Sequence, residues 1–182
     1  IIGIIGGITS TNGDKMYLSR LKITNFRNYR FSTFDFKNGV NTIIGENDSG
    51  KSNALTALRI LLDDRFYYSP KNLKDSDFNR SFDSWKGHWM IITAEFEGMT
   101  PEESKREAIA SISQKVDVEE SLENLNFQMS SISTNTGSVS VIIRPNDKKR
   151  KELFAASGNK DKFNFIRQSI SLVDYEFLYR SK

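Results

Sequence analysis

The sequence predicts an α/β fold built around a phosphate-binding loop, with a mixed or antiparallel sheet packed beside the loop-bearing core. Three observations lead to it. Residues 45–52 read Gly45-Glu46-Asn47-Asp48-Ser49-Gly50-Lys51-Ser52, which satisfies G-x-x-x-x-G-K-[ST]. The short β-branched run Val40-Asn41-Thr42-Ile43-Ile44 precedes it, as a buried parallel strand would. Behind it, Ala54, Leu55, Leu58, Leu61 and Leu62 recur at helical spacing, with no Gly or Pro before Asp63-Asp64.

That order of strand, loop and helix carries its own chemistry. Glycines let the backbone bend and bring N–H groups close to phosphate oxygens, where a Cβ would intrude. Lys51 supplies a mobile positive charge to the β- and γ-phosphates, and the Ser52 hydroxyl is placed to ligate Mg²⁺. The helix that follows directs its free N–H groups and positive dipole end at the same phosphates.

Ahead of the loop, Ile1–Lys15 is Ile-rich and then polar, ends directly before Met16, and lacks the charged beginning of a secretory signal. It reads as a tag or disordered leader, with Met16 as the native start. From Met16 a strand is expected, with Leu21 and Ile23 facing one way and Arg20, Lys22 and Thr24 the other. In the second strand Phe34 and Phe36 alternate with Thr33, Asp35 and Lys37, and Asn38-Gly39 turns the chain toward the loop.

Residues 65–88 are polar and aromatic without period, which predicts a long loop, and Met90, Ile92, Ala94 and Phe96 mark the next strand. Thr100-Pro101-Glu102-Glu103 opens a helix as a capping box with proline at the first position, and Ala108, Ile109 and Ile112 share one side of it. A strand at Leu125, Phe127 and Met129 and a hairpin turn at Asn135-Thr136-Gly137 lead into a strand at Val139, Val141 and Ile143. Phe163, Ile166 and Ile170 suggest a short helix, and Val173, Tyr175, Phe177 and Tyr179 a closing strand.

Composition narrows the class. A chain of 182 residues with 37% hydrophobic and 27% charged residues buries one core, and no run of about 18 apolar residues exists to cross a bilayer. Cysteine is absent, which excludes disulfides, Cys-ligated zinc and thiol catalysis and fits a reducing, cytoplasmic setting. The single histidine, His88, stands between Trp85 and Trp89 and reads as structural rather than as a metal ligand. A net charge of +3 is compatible with a polyanionic partner. Lys148-Lys149-Arg150-Lys151, after the turn residues Pro145-Asn146-Asp147, reads either as a solvated loop tip or as a contact for nucleic-acid phosphates.

Asn25-Phe26-Arg27-Asn28-Tyr29, about twenty residues ahead of the Gly-Glu-Asn-Asp-Ser-Gly-Lys-Ser-Asn loop, resembles the N-terminal ATPase lobe of the RecF, SMC and OLD group of ABC-type ATPases. Within that group, Ser76-Asp77-Phe78 and Trp85-Lys86-Gly87-His88-Trp89 look most like OLD-family ATP-dependent endonucleases. The resemblance covers Met16 to Phe96 well and, beyond that, only the order of elements. It implies a P-loop NTPase of the ABC type, a head that binds ATP and Mg²⁺ and forms a homodimer or higher oligomer around two nucleotides, and a whole protein that acts on DNA. On this resemblance Arg27, Gly45, Asn47, Asp48, Ser49, Gly50, Lys51, Ser52 and Asn53 form the nucleotide pocket, with Ser52 toward the metal and Arg27 near the phosphates.

There are departures from that pattern. No apolar run ending in Asp-Glu follows the loop, and no Leu-Ser-Gly-Gly-like segment occurs. The Mg²⁺-sensing glutamine of the pattern could be Gln114, Gln128 or Gln168. Residues 16–182 are therefore expected to be the N-terminal part of an ATPase domain within a longer protein. The function expected first is the ATPase lobe of an OLD-like, ATP-dependent DNA endonuclease; the alternatives are the same lobe of a RecF- or SMC-like repair protein without nuclease, or a non-hydrolysing nucleotide-binding module. A kinase or small GTPase is disfavoured because the two strands before the loop and the antiparallel set after it fit the ABC head, and no Asn-Lys-x-Asp guanine reader occurs.

Overall fold

The computed structural model describes residues 3–5, 16–45, 50–63, 72–98 and 136–181. Two sheets are formed. The strands β1 (Gly3–Ile5) and β4 (Asn41–Ile43) pair antiparallel with each other. The larger sheet contains β2 (Tyr17–Phe26), β3 (Tyr29–Asp35), β5 (Met90–Glu97), β6 (Thr136–Pro145) and β7 (Tyr175–Ser181), all antiparallel, in the order β3-β2-β5-β6-β7.

Period-two alternation gives this sheet its core face. Ile23 stands opposite Ile92, and Ile92 opposite Val141, so three fully buried β-branched side chains form one row across three strands. Leu21, Met90, Ala94 and Ile143 extend the same face, while Arg20 and Lys22 lie exposed, as the alternation requires. Helix α1 (Lys51–Leu62) packs against β2, β5 and β6 through buried Ala54, Ala57, Leu58 and Ile60. The expected leucine stripe is thus rotated. Two alanines let the helix approach the sheet closely, whereas Leu55 and Leu61 are half-buried and Leu62 is exposed.

Three further expectations are corrected. The strand before the loop is neither parallel nor buried: β4 meets only β1 among the described residues, and Val40 and Ile44 are 77% and 85% exposed. β-Branched residues favour extended backbone, but burial depends on a covering element, and the sequence alone does not show one. Gly39, at φ +107°, makes the turn after β3, and the Asn41 side chain closes it through Lys37 and Gly39, yet β3 and β4 belong to different sheets rather than to one hairpin. Finally, Thr136 and Gly137 are not a turn: they extend β6 opposite Glu97 and Phe96. Asn135, the helix at 100–112 and the strand at 125–129 lie outside the described residues.

The basic run is helical rather than a loop tip. Asn146 caps α2 (Asp147–Ala155) by accepting from the Lys149 N–H at 3.0 Å, and Asn159 caps α3 (Lys160–Ser169) through the Lys162 N–H at 3.0 Å. Arg150 pairs with Asp147 and Glu176, Lys149 with Glu152, and Lys151 with Asp147. Val173, expected in the closing strand, instead lies in a 3₁₀ turn and is exposed. His88 packs on the Phe82 ring at a centroid distance of 4.8 Å; burial, and then the Arg167 charge, lower its pKa.

Candidate phosphate-binding site

The site is assembled where the β2–β3 turn meets the N-terminus of α1. In Asn25-Phe26-Arg27-Asn28-Tyr29, Asn25 and Arg27 hold φ of 56° and 51°, left-handed conformations that cost a non-glycine residue about 1 kcal/mol or more each unless the surroundings enforce them. The surroundings are residues 77–79 and 89. The Asn25 Oδ1 accepts from the Asn79 N–H at 3.0 Å, and its Nδ2 donates to the Trp89 carbonyl at 2.9 Å. Asn79 Nδ2 donates to the Arg27 carbonyl at 2.8 Å, and the Arg27 N–H to the Asp77 carbonyl at 2.8 Å. Residues 72–88 of the segment expected to be a long loop are irregular apart from one 3₁₀ turn, and they bracket the β2–β3 turn with Leu73, Asp77, Phe78 and Asn79 buried.

From this turn three side chains reach α1. The Tyr29 hydroxyl, whose pKa burial raises so that it stays a donor, donates to the Gly50 carbonyl at 2.9 Å. Asn28 Oδ1 accepts from Asn53 Nδ2 at 2.8 Å, and Arg27 Nη1 donates to Asn53 Oδ1 at 2.9 Å. Arg27 Nε is held in turn by Asp77 Oδ1 at 3.1 Å.

Gly50 is the N-cap of α1 at φ +91°, and a Cβ there would lie 2.0 Å from Asn28 Nδ2. Only glycine meets both demands. The first turn of α1 has no side-chain cap and no acidic residue, so nothing in that turn neutralises its positive dipole end. Lys51 Nζ donates to the Gly45 carbonyl, bringing the two ends of the loop together, and Ser52 is exposed at the same end of the helix. Cationic Lys51, the exposed hydroxyl and an uncapped helix N-terminus make a donor set that fits the phosphates of a nucleotide and an oxygen-ligated cation.

Of the residues expected in the pocket, Arg27, Gly45, Gly50, Lys51, Ser52 and Asn53 are brought together here; Asn47, Asp48 and Ser49 lie outside the described residues. The sequence reading assigned no role to Asp77, Asn79 or Asn25. Asn25 and Asn79 bond to main-chain groups distant in sequence, and Asp77 to the Arg27 side chain as well as to the nearby Lys74 N–H; no residue spacing announces the distant partners. Among the described residues no group of three or more His, Asp or Glu side chains is gathered as if to hold a metal.

A family model described as an AAA ATPase domain matches residues 16–180. The chain is 37% identical over 78 residues to the DNA replication and repair protein RecF of Francisella tularensis subsp. mediasiatica, a stretch covering 43% of this chain and 21% of that protein. It is 48% identical over 46 residues to the DNA replication and repair protein RecF of Geobacillus kaustophilus, covering 25% of this chain and 12% of that protein. The chain thus matches only a minor part of the length of each relative.

Proposed function

Because this chain belongs to the AAA ATPase domain family, we propose that it is the MgATP-binding lobe of a DNA-repair ATPase of the RecF- and SMC-like ABC type. One observation carries the reading: the uncapped N-terminus of α1, where Gly50, Lys51 and Ser52 stand beside an arginine delivered by a second element. Lys51 and Arg27 would attract the phosphates, and Ser52 would hold Mg²⁺, which neutralises charge on the phosphate oxygens when bound. The test is calorimetric titration with a non-hydrolysable ATP analogue, with and without Mg²⁺. Absence of saturable, Mg²⁺-dependent binding would end the proposal.

Turnover is a separate matter. Phosphoryl transfer depends on positioning and charge stabilisation around the γ-phosphate. The sequence contains no apolar run ending in Asp-Glu to activate water and no capping segment for a partner's nucleotide. The chain alone is therefore expected to hydrolyse ATP far below about one turnover per second, the lower end of ordinary enzyme rates. A phosphate-release assay that reaches such rates would mean that the catalytic groups lie elsewhere in this chain.

DNA as the partner rests on a surface as well as on the relatives. Residues 146–170 carry seven basic and three acidic residues, a net +4 against +3 for the whole chain. Along α2, Lys151 precedes Phe154 by three residues, and along α3 Lys162 precedes Phe165 by three; the two rings are 82% and 77% exposed. A lysine beside an exposed aromatic suits a phosphate beside an unstacked base. Replacing Lys148, Lys151, Lys160 and Lys162 with Glu should abolish binding of a labelled single strand at low salt, measured by anisotropy. Unchanged affinity would remove this surface from the proposal.

A second reading adds a nuclease, as in OLD-like endonucleases. It is favoured by the resemblance of Ser76-Asp77-Phe78 and Trp85-Lys86-Gly87-His88-Trp89, in which Asp77 and Trp89 bond to the β2–β3 turn. The matches to RecF proteins give it no advantage over the first reading. Metal-dependent nicking of plasmid by the full-length gene product, lost with EDTA, would favour it.

A further inference from the structure

We propose that Asp77 is a positioning residue for nucleotide binding, holding the Arg27 guanidinium against the first turn of α1 so that it faces the phosphates; this rests on the nucleotide reading above. Asp77 grips Arg27 twice. Its carbonyl accepts from the Arg27 N–H at 2.8 Å, and its carboxylate Oδ1 accepts from Arg27 Nε at 3.1 Å. The Asp77 side chain is 6% exposed, and a carboxylate so buried is tolerated only with a charged or strongly donating partner.

The division of labour within the carboxylate points the same way. Oδ2 accepts from the Lys74 N–H at 3.1 Å and so caps the 3₁₀ turn Asp75–Asp77. That bond alone would serve the turn; Oδ1 is spent on Arg27. On the other side, Arg27 Nη1 is fixed by Asn53 Oδ1 at 2.9 Å, in the first turn of α1. The third nitrogen, Nη2, has no hydrogen-bond partner among the described residues, and the side chain keeps 34% of its exposure. Two nitrogens anchored by an aspartate and an asparagine leave one edge of a planar, permanently charged group for an incoming anion. The backbone under it, at φ 51°, keeps that shape only while Asp77 and Asn79 hold it.

The experiment is a double-mutant cycle on the chain with Mg²⁺ and AMP-PNP, read by calorimetry, with thermal melting of every variant. Asp77→Asn keeps the side-chain size, the main-chain bond from the Arg27 N–H and one acceptor oxygen for either Arg27 Nε or the Lys74 N–H. It loses the second acceptor and the charge, and thermal melting reads what the fold loses. It is expected to weaken AMP-PNP binding by about five- to tenfold, the scale of altering a charge-assisted hydrogen bond. In an Arg27→Ala background the same substitution should have no further effect on affinity, because the aspartate acts through the arginine. Unchanged affinity of Asp77→Asn, or an equal loss in both backgrounds, would overturn the proposal, whatever the melting temperatures. If the unaltered chain fails to bind AMP-PNP, or Lys51→Ala binds as well as it does, the nucleotide reading fails and this inference with it. Additive losses with Lys51-dependent binding intact defeat this inference alone.

Discussion

Gly50→Ala is expected to destabilise the protein by about 2–4 kcal/mol and to eliminate nucleotide binding. The first contribution is conformational: at φ +91° an alanine Cβ crowds its own backbone, at a cost of about 1–2 kcal/mol. The second is steric, since the new methyl would meet Asn28 Nδ2 at 2.0 Å. Asn28 would have to swing away and surrender its bond to Asn53, whose other side-chain atom holds Arg27. One methyl therefore disturbs the helix cap and the arginine together. Urea unfolding and calorimetry on the same preparation test both parts. A variant with wild-type midpoint and affinity would show that Gly50 tolerates a side chain and that the contact between turn and loop is loose.

Lys51→Ala should reduce affinity for an ATP analogue by at least about a hundredfold while shifting the unfolding midpoint little. A desolvated ammonium–phosphate contact is a charge-assisted hydrogen bond, and losing one from a site built around it costs roughly 3 kcal/mol. Lys51 bonds to the Gly45 carbonyl, so unfolding measured beside affinity separates a binding defect from a folding one. Ser52→Ala makes the contrast: loss of the hydroxyl should chiefly flatten the Mg²⁺ dependence of binding. Equal affinities for Lys51→Ala and the unaltered chain would remove the assignment of the loop.

Local patterns were legible in the sequence, and what depended on distant partners was not. The strands β2, β5 and β6 follow from alternation, since Leu21, Ile23, Met90, Ile92, Val141 and Ile143 occupy every second position and one face of the sheet. Gly50, Lys51 and Ser52 could be proposed from sequence because the loop concentrates its chemistry in a few adjacent residues. The burial of Asp77 and Asn79 was not legible, because hydrophobic periodicity is silent about polar residues, and the partners that anchor these two to the β2–β3 turn lie about fifty positions away. The outward position of β4 escaped for a related reason: its residues describe a strand, and its neighbours decide what the strand faces. The helical state of Lys148–Lys151 turned on one capping residue, Asn146, first read as part of a turn.

The strand order β3-β2-β5 sets a sequence of events in time. Closing β2 on β3 needs only the two-residue connection at Arg27 and Asn28, whereas pairing β2 with β5 joins Ile23 to Ile92 across β4 and α1. Loop-closure entropy makes the short hairpin the earlier structure and the long pairing the slow step. The ring of bonds that links Arg27 to Asp77 and Asn53 spans both, so the proposed phosphate site should become competent only when the slow step is complete. Refolding followed by tryptophan fluorescence and by binding of a fluorescent ATP analogue should then give one rate for both signals. Nucleotide binding that precedes the fluorescence change would place assembly of the site ahead of the sheet.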